Sequence, residues 1–173
     1  MPIIYKSNKP IIVCGRIDNI DCYDKIIALS ESIGAPILAD PLSQVRFNIK
    51  HPHIISAYDH FLSKNKIKPS LVIRIGAKPT SKKLCSLLKE WDHYSFLISP
   101  NGRFNDSCSN ILSGDPKYLL DILLDFIPKR KNTDWISKIC NLEKKSRKII
   151  LKEYDSSILT GNNIVVECIE SLR

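Results

Sequence analysis

The sequence predicts a three-layer α/β domain, a parallel sheet of five or six strands with helices on both faces. Three observations predict it. Short β-branched, apolar runs recur, too uniformly apolar for strands with one face in water. Between them lie segments whose apolar residues return every three or four positions, the period of a helix with one buried stripe. The two kinds of segment alternate at least four times within about 120 residues, which is the order of βαβ units.

Ile11-Ile12-Val13-Cys14 is the first strand and ends at Gly15. From Asp21 to Ile33, the side chains Ile26, Ile27, Leu29 and Ile33 fall at helical spacing, and Gly34 is placed to stop that helix. Pro36 to Ala39 is the second strand, closed by Asp40-Pro41. A polar loop rich in His and Pro runs to Pro52, and Ile54 to Leu62 reads as a helix. Ser70 to Ile75 is the third strand, ending in Gly76. Thr80 to Trp91 is helical, with Leu84, Leu87, Leu88 and Trp91 on one face. Tyr94 to Ser99 is a fourth strand and Asn110-Ile111-Leu112 a short fifth. Asp115-Pro116 opens the next helix, since Asp caps free N–H groups and Pro fits the first helical position; the helix stops at Pro128.

From Asn132 the pattern changes. Trp135, Ile136, Ile139, Leu142, Ile149 and Ile150 give one long amphipathic helix, and Ile164 to Leu172 a second after Thr160-Gly161. No strand follows, so residues 1–128 are read as the α/β domain and 129–173 as a helical connector.

Composition narrows the function classes. The chain has 173 residues, 43% hydrophobic and 25% charged, enough apolar side chain to bury a core and too much for a disordered chain. No apolar run is long enough to span a bilayer, and Met1-Pro2-Ile3-Ile4-Tyr5-Lys6 lacks the basic-then-apolar order of a signal peptide; a soluble, cytoplasmic protein is expected. The cysteines at 14, 22, 85, 108, 140 and 168 never come closer than eight positions, which excludes knuckle and redox spacings and predicts buried free thiols. Of the net charge of +8, residues 129–153 carry +6, from nine basic residues and three acids. Such a run is the solvated face of a helix or a nucleic-acid footprint, and no reading motif stands beside it.

Ligands of doubly wound sheets meet the loops at the carboxyl ends of the strands. Here those are Gly15-Arg16, Asp40 to Arg46, Gly76 to Lys83 and Ser99 to Arg103. The scaffold is Rossmann-like, yet Gly15-Arg16-Ile17-Asp18 lacks the further glycines that let a pyrophosphate approach the backbone, and no Walker-type Gly-Lys-Ser is present. The most informative loop is Gly76-Ala77-Lys78-Pro79-Thr80-Ser81-Lys82-Lys83. Thr80 or Ser81 is a natural N-cap, which puts Lys82 and Lys83 in the first helical turn, where cations oppose the macrodipole. Spacing leaves two readings open: a carboxylate or phosphate held by lysines, hydroxyls and free amides, or two side chains pointing into water. Asp40 before Pro41 is read as a loop cap. Arg16, Arg46 and Arg74 are read as surface residues, with convergence on the lysines the alternative. His51, His53, His60 and His93 lack metal spacing, and His51 and His53 are expected in solvent. No catalytic residue, cofactor-binding residue or metal ligand is assigned.

Three runs taken together carry a resemblance: Val13-Cys14-Gly15-Arg16, Gly34 to Ser43, and Val72 to Leu84. In this order they resemble the central domain of the MenD family, the 2-succinyl-5-enolpyruvyl-6-hydroxy-3-cyclohexene-1-carboxylate (SEPHCHC) synthases of menaquinone biosynthesis. The resemblance covers residues 8–128, and the Trp135 helix and Thr160-Gly161 turn look like the lead into the family's third domain. It implies a transferase that decarboxylates 2-oxoglutarate on thiamine diphosphate with Mg²⁺ and adds the succinyl unit to isochorismate. The implied partners are the pyrimidine- and diphosphate-binding domains of the same enzyme, in a dimer or tetramer. It further implies that this domain is a scaffold lending the basic side of Thr80-Ser81-Lys82-Lys83 to the carboxylate substrates, and that this stretch alone neither binds the cofactor nor turns over. Lys83 stands where the family often has Arg, keeping the charge but not the planar two-pronged grip, so Lys82 ranks first. The alternatives are a stand-alone module binding a nucleotide or an acidic regulator at the same loops, and nucleic-acid binding through 129–152.

Overall fold

The computed structural model describes residues 7–100, 108–127, 133–152 and 163–164. Six parallel strands form one sheet: β1 (Pro10–Cys14), β2 (Ile37–Ala39), β3 (Ile54–Ile55), β4 (Leu71–Ile75), β5 (Ser95–Ser99) and β6 (Ile111–Ser113), in the order β3-β2-β1-β4-β5-β6. The helices are α1 (Tyr23–Ile33), the single turn α2 (Val45–Asn48), α3 (Lys82–Glu90), α4 (Pro116–Phe126) and α5 (Thr133–Lys152). The three-layer α/β class read from the sequence is the observed one.

Alternation along the strands separates two cores. Ile12 and Cys14 of β1, with Ile37, Ala39, Ile73 and Ile75, face α1 and α4 through Ile26, Leu29, Leu120 and Leu123. Ile11 and Val13, with Leu38, Ile55 and Val72, face the other way, towards Leu84 and Leu88 of α3, Trp91, and Trp135 and Ile139 of α5. A strand buried on both sides favours apolar side chains at nearly every position, which is why β1 reads as an unbroken run.

Local chemistry sets the helix limits. Gly34 takes φ 65° and ends α1 in the left-handed conformation, while a short 3₁₀ turn at Ile20–Cys22, capped by the Asn19 side chain, precedes it. Ser81 caps α3 through its hydroxyl, which accepts from Leu84 N, and Asp115 caps α4 at Lys117 N ahead of Pro116. The cost of losing such a cap is about 1 kcal/mol.

Two expectations change. Ile54 to Leu62 is not a helix: Ile54 and Ile55 pair with Ile37 and Leu38 as the edge strand β3, and a 3₁₀ turn follows at Tyr58–His60. A short apolar run carries no period that separates strand from helix, and β-branched pairs favour the pleat. The loop after β2 is also less irregular than its composition suggests, holding a 3₁₀ turn at Pro41–Ser43 and then α2.

The long helix α5 covers the sheet. Trp135 Nε1 donates to Pro10 O at 2.8 Å, and Ile139 is fully buried. Two turns on, the buried Glu143 carboxylate accepts from Ser56 N, Ser56 Oγ and Ala57 N at 3.1, 2.9 and 2.9 Å, and Arg147 Nε donates to it at 2.8 Å. Lys138, Lys144, Lys145, Lys148 and Lys152 are exposed, and Arg147, also exposed, stays on the Glu143 side of the helix. The second C-terminal helix expected at Ile164 to Leu172 lies, apart from Ile164, outside the described residues, as do Asn101 to Arg103 of the fourth loop.

Candidate functional site

The sheet order reverses between β1 and β4, and in open α/β sheets a ligand enters at such a switch point. Here that crevice is closed. Gly15 N donates to Ile75 O at 2.9 Å and Ala77 N to Arg16 O at 3.0 Å, which draws the two loops together. A Cβ on Gly15 would stand 1.7 Å from Ala77 O, and one on Gly76, at φ 82°, would stand 2.3 Å from Arg16 O. Gly15 is therefore required by the neighbouring loop, and the residues present do not fit a diphosphate here. Among the described residues, no group of three His, Cys, Asp or Glu could hold a metal ion. Nor is any helix there long and apolar enough to cross a membrane.

Beside the closed crevice stands the basic loop. Two carboxylates fix it. Asp40, only 1% exposed, caps Leu42 N with Oδ1 at 3.0 Å and accepts from Thr80 N and Thr80 Oγ1 with Oδ2 at 2.7 and 2.9 Å. Asp59 Oδ1 accepts from Ser81 Oγ, whose other side caps Leu84 N at 3.0 Å. Lys83 Nζ donates to Asp59 O at 3.2 Å, so its charge is turned back onto the protein. Lys82 is exposed and has no hydrogen bond or ion pair among the described residues. Thr80 is exposed and Ser81 half-exposed. The four expected site residues are thus together at the start of α3, with Lys82 the side chain left to meet solvent or a ligand.

The arginines do not converge on the lysines. Arg16 pairs with Asp18 at 2.9 Å, both exposed. Arg46 is half-buried beside Tyr58, Asp40, Glu143 and Arg147, with Phe47 at 5.7 Å from its guanidinium carbon; burial lowers its pKa. Arg74, expected at the surface, is only 2% exposed. It projects from β4 towards Cys85, Cys108 and Asp92, and burial again lowers its pKa. Its place in a central strand, with neighbours that are apolar on both sides, overrides the usual preference of arginine for water. Tyr58 is buried against the same loops; burial, then Asp40 and Asp59, raise its phenol far above the ordinary value and keep it neutral.

The other titratable groups are structural. His53 is half-buried, not in solvent. Ser30 Oγ gives its proton to Ala35 O at 2.6 Å and so accepts from His53 Nδ1 at 2.8 Å. Burial and the neighbouring His51 hold the His53 pKa below the usual histidine value. His51, also expected in solvent, is half-buried, with Nε2 3.2 Å from Glu31 Oε1. The five described cysteines are free, but only Cys14 and Cys22 are buried; Cys85, Cys108 and Cys140 are half-buried, and Cys168 lies outside the described residues. Burial raises the thiol pKa of Cys14, Cys22 and Cys140, which makes them poor nucleophiles.

A cleft of about 490 Å³ opens at the far, amino-terminal end of the sheet, around Trp135 and lined by Lys9, Lys66, Lys68 and Lys138. Those lysines are all exposed, and the cleft lies away from the carboxyl ends of the strands, where ligands of such sheets meet the loops. The candidate site is the loop at the start of α3. The sequence showed its basic residues and its cap; it did not show that Asp40 and Asp59 hold them, because each partner is at least 22 residues away.

The family described as "Middle domain of thiamine pyrophosphate" matches residues 3–172. The SEPHCHC synthase of Listeria monocytogenes serovar 1/2a is 32% identical over 172 residues, 93% of this chain and 30% of the relative. That of Bacillus cytotoxicus is 28% identical over 163 residues, 88% of this chain and 28% of the relative. The synthase of Haloarcula marismortui is 32% identical over 131 residues, 68% of this chain and 22% of the relative. A solved thiamin diphosphate-dependent enzyme from Mycobacterium smegmatis superposes with a TM-score of 0.51 at 20% identity, over 73% of this chain and 26% of that one, a likeness of fold. The chain spans about 30% of the length of the first of these relatives. With the family's match running over nearly its whole length, the chain, built on a six-stranded parallel sheet, belongs to the family of middle domains of thiamine pyrophosphate enzymes.

Proposed function

We infer that the chain serves as the central domain of a SEPHCHC synthase and presents Lys82 to a carboxylate substrate. In that enzyme 2-oxoglutarate is decarboxylated on thiamine diphosphate, with Mg²⁺, and the succinyl unit is added to isochorismate, a transferase reaction of menaquinone biosynthesis in the cytoplasm. Both substrates are carboxylates, which suits an exposed ammonium on a fixed loop. One observation carries the reading: Thr80, Ser81 and Lys83 are each bonded back to the protein, while Lys82, in the first turn of α3, is not.

The closed crevice, with Ala77 O packed on Gly15, supports a division of labour in which the cofactor and metal are held by a pyrimidine-binding and a diphosphate-binding domain, which with further subunits are this chain's partners. Residues 1–128 then act as the scaffold and 129–173 as the lead into the diphosphate-binding domain. On its own this segment is expected to be inactive.

The test is to assay the complete protein, this chain with its flanking domains, for product formation from 2-oxoglutarate and isochorismate with and without thiamine diphosphate and Mg²⁺. Cofactor-dependent product is expected. Activity only with a different 2-oxo acid or acceptor, or none, refutes the reading.

A further inference from the structure

We propose that Asp40 is the positioning residue of the basic loop, setting through Thr80 where Lys82 stands. The inference rests on the carboxylate-site reading above and deepens it. Asp40 ends β2, and Thr80 lies in the loop after β4; β1 separates those strands, so the contact crosses the sheet's switch point. Its backbone is pinned there by Asp40 N donating to Cys14 O at 2.9 Å.

The carboxylate is used at both oxygens. Oδ1 receives Leu42 N and so fixes the turn at Pro41–Ser43. Oδ2 receives both the amide and the hydroxyl of Thr80. Capping alone, the ordinary work of Asp before Pro, needs only the first of these. The second engages a residue two positions before Lys82, with buried Pro79 limiting rotation on one side and the Ser81–Asp59 bond on the other. Three successive residues are thereby held, and the Lys82 backbone has little freedom left. An acid beside a cationic site would ordinarily compete for the lysine. Asp40 does not, because its oxygens are occupied and it is 1% exposed. It acts through the loop and touches no substrate.

The experiment is a set of variants in the complete enzyme. Asp40→Asn keeps volume but cannot accept from all three donors at once; Thr80→Val removes the hydroxyl bond alone, and Thr80→Ser restores it. Asp40→Asn is expected to raise KM for the carboxylate substrate about tenfold, the scale of one charge-assisted contact, with kcat little changed. Thr80→Val should raise KM less, and Thr80→Ser, which keeps the hydroxyl, should fall between Thr80→Val and the wild type. The deciding measurement is the double variant with Lys82→Ala: if Asp40 acts through Lys82, its KM equals that of Lys82→Ala alone. Multiplying effects, or a KM unmoved by Asp40→Asn while Lys82→Ala raises it, overturn the Asp40 assignment and leave the carboxylate-site reading standing. A KM moved by neither variant overturns both. If Asp40→Asn fails to fold, the Thr80→Val and Lys82→Ala pair decides by the same comparison.

Discussion

Gly15→Ala tests the closed switch point. Nothing in the Gly15 backbone demands glycine, since its φ is not positive as those of Gly34, Gly76 and Gly114 are, so the whole effect comes from the added methyl. That carbon would lie 1.7 Å from Ala77 O and 2.7 Å from Ala77 C, both backbone atoms that cannot rotate aside. To restore even a 3.0 Å approach the carbonyl must retreat by about 1.3 Å. The retreat breaks Ala77 N–Arg16 O and loosens Gly15 N–Ile75 O. Two backbone hydrogen bonds at about 1 kcal/mol each, added to an overpacking cost of roughly 1–3 kcal/mol, give about 3–5 kcal/mol. Equilibrium urea unfolding reads this directly: with a slope of about 1–3 kcal/mol per molar, the midpoint should fall by 1 M or more. Since Ala77 leads into the basic loop, the Thr80 amide should also lose protection from hydrogen exchange. An unchanged midpoint with Thr80 still protected would refute the packing argument.

Three further outcomes follow from the buried polar contacts. Glu143→Ala leaves Ser56 N and Ala57 N without their acceptor and should cost about 2–4 kcal/mol by urea unfolding, with Glu143→Gln intermediate because it keeps one acceptor oxygen. Trp135→Phe keeps the ring but loses the bond to Pro10 O, a cost of about 1–2 kcal/mol in the same assay. His53, with its pKa below the usual value through burial and His51, favours the neutral form in the folded state. Its contribution is therefore full above the unfolded value of about 6.5 and is lost as pH falls through the lower folded value. His53→Asn, whose amide can reach Ser30 Oγ, should flatten that part of the midpoint-versus-pH curve; an unaltered slope below pH 6.5 contradicts it.

What could be read in the sequence was what local chemistry decides. Gly34, Asp115-Pro116 and the Thr80-Ser81 pair marked helix ends because caps act over three or four residues, and β1 announced itself as an unbroken apolar run. Ile54-Ile55 was misread because its strand exists only through pairing with β2, a partner 17 residues earlier. Arg74 reads as a surface residue and Glu143 as one acid of the basic run, and both are buried, since their burial depends on elements that meet only in the folded chain. At the site the basic residues were legible and their restraints were not. Asp40 read as a cap, which it is, and its second oxygen found Thr80 across the switch point.

The most direct test of the account is a lysine-acylation footprint of the complete enzyme, read by mass spectrometry with and without its carboxylate substrates. Lys82 should react readily in the free enzyme and be protected in proportion to substrate occupancy, while Lys78, also exposed on this loop, changes less. Equal Lys82 labelling with and without saturating substrate would contradict the claim that this loop meets the substrate.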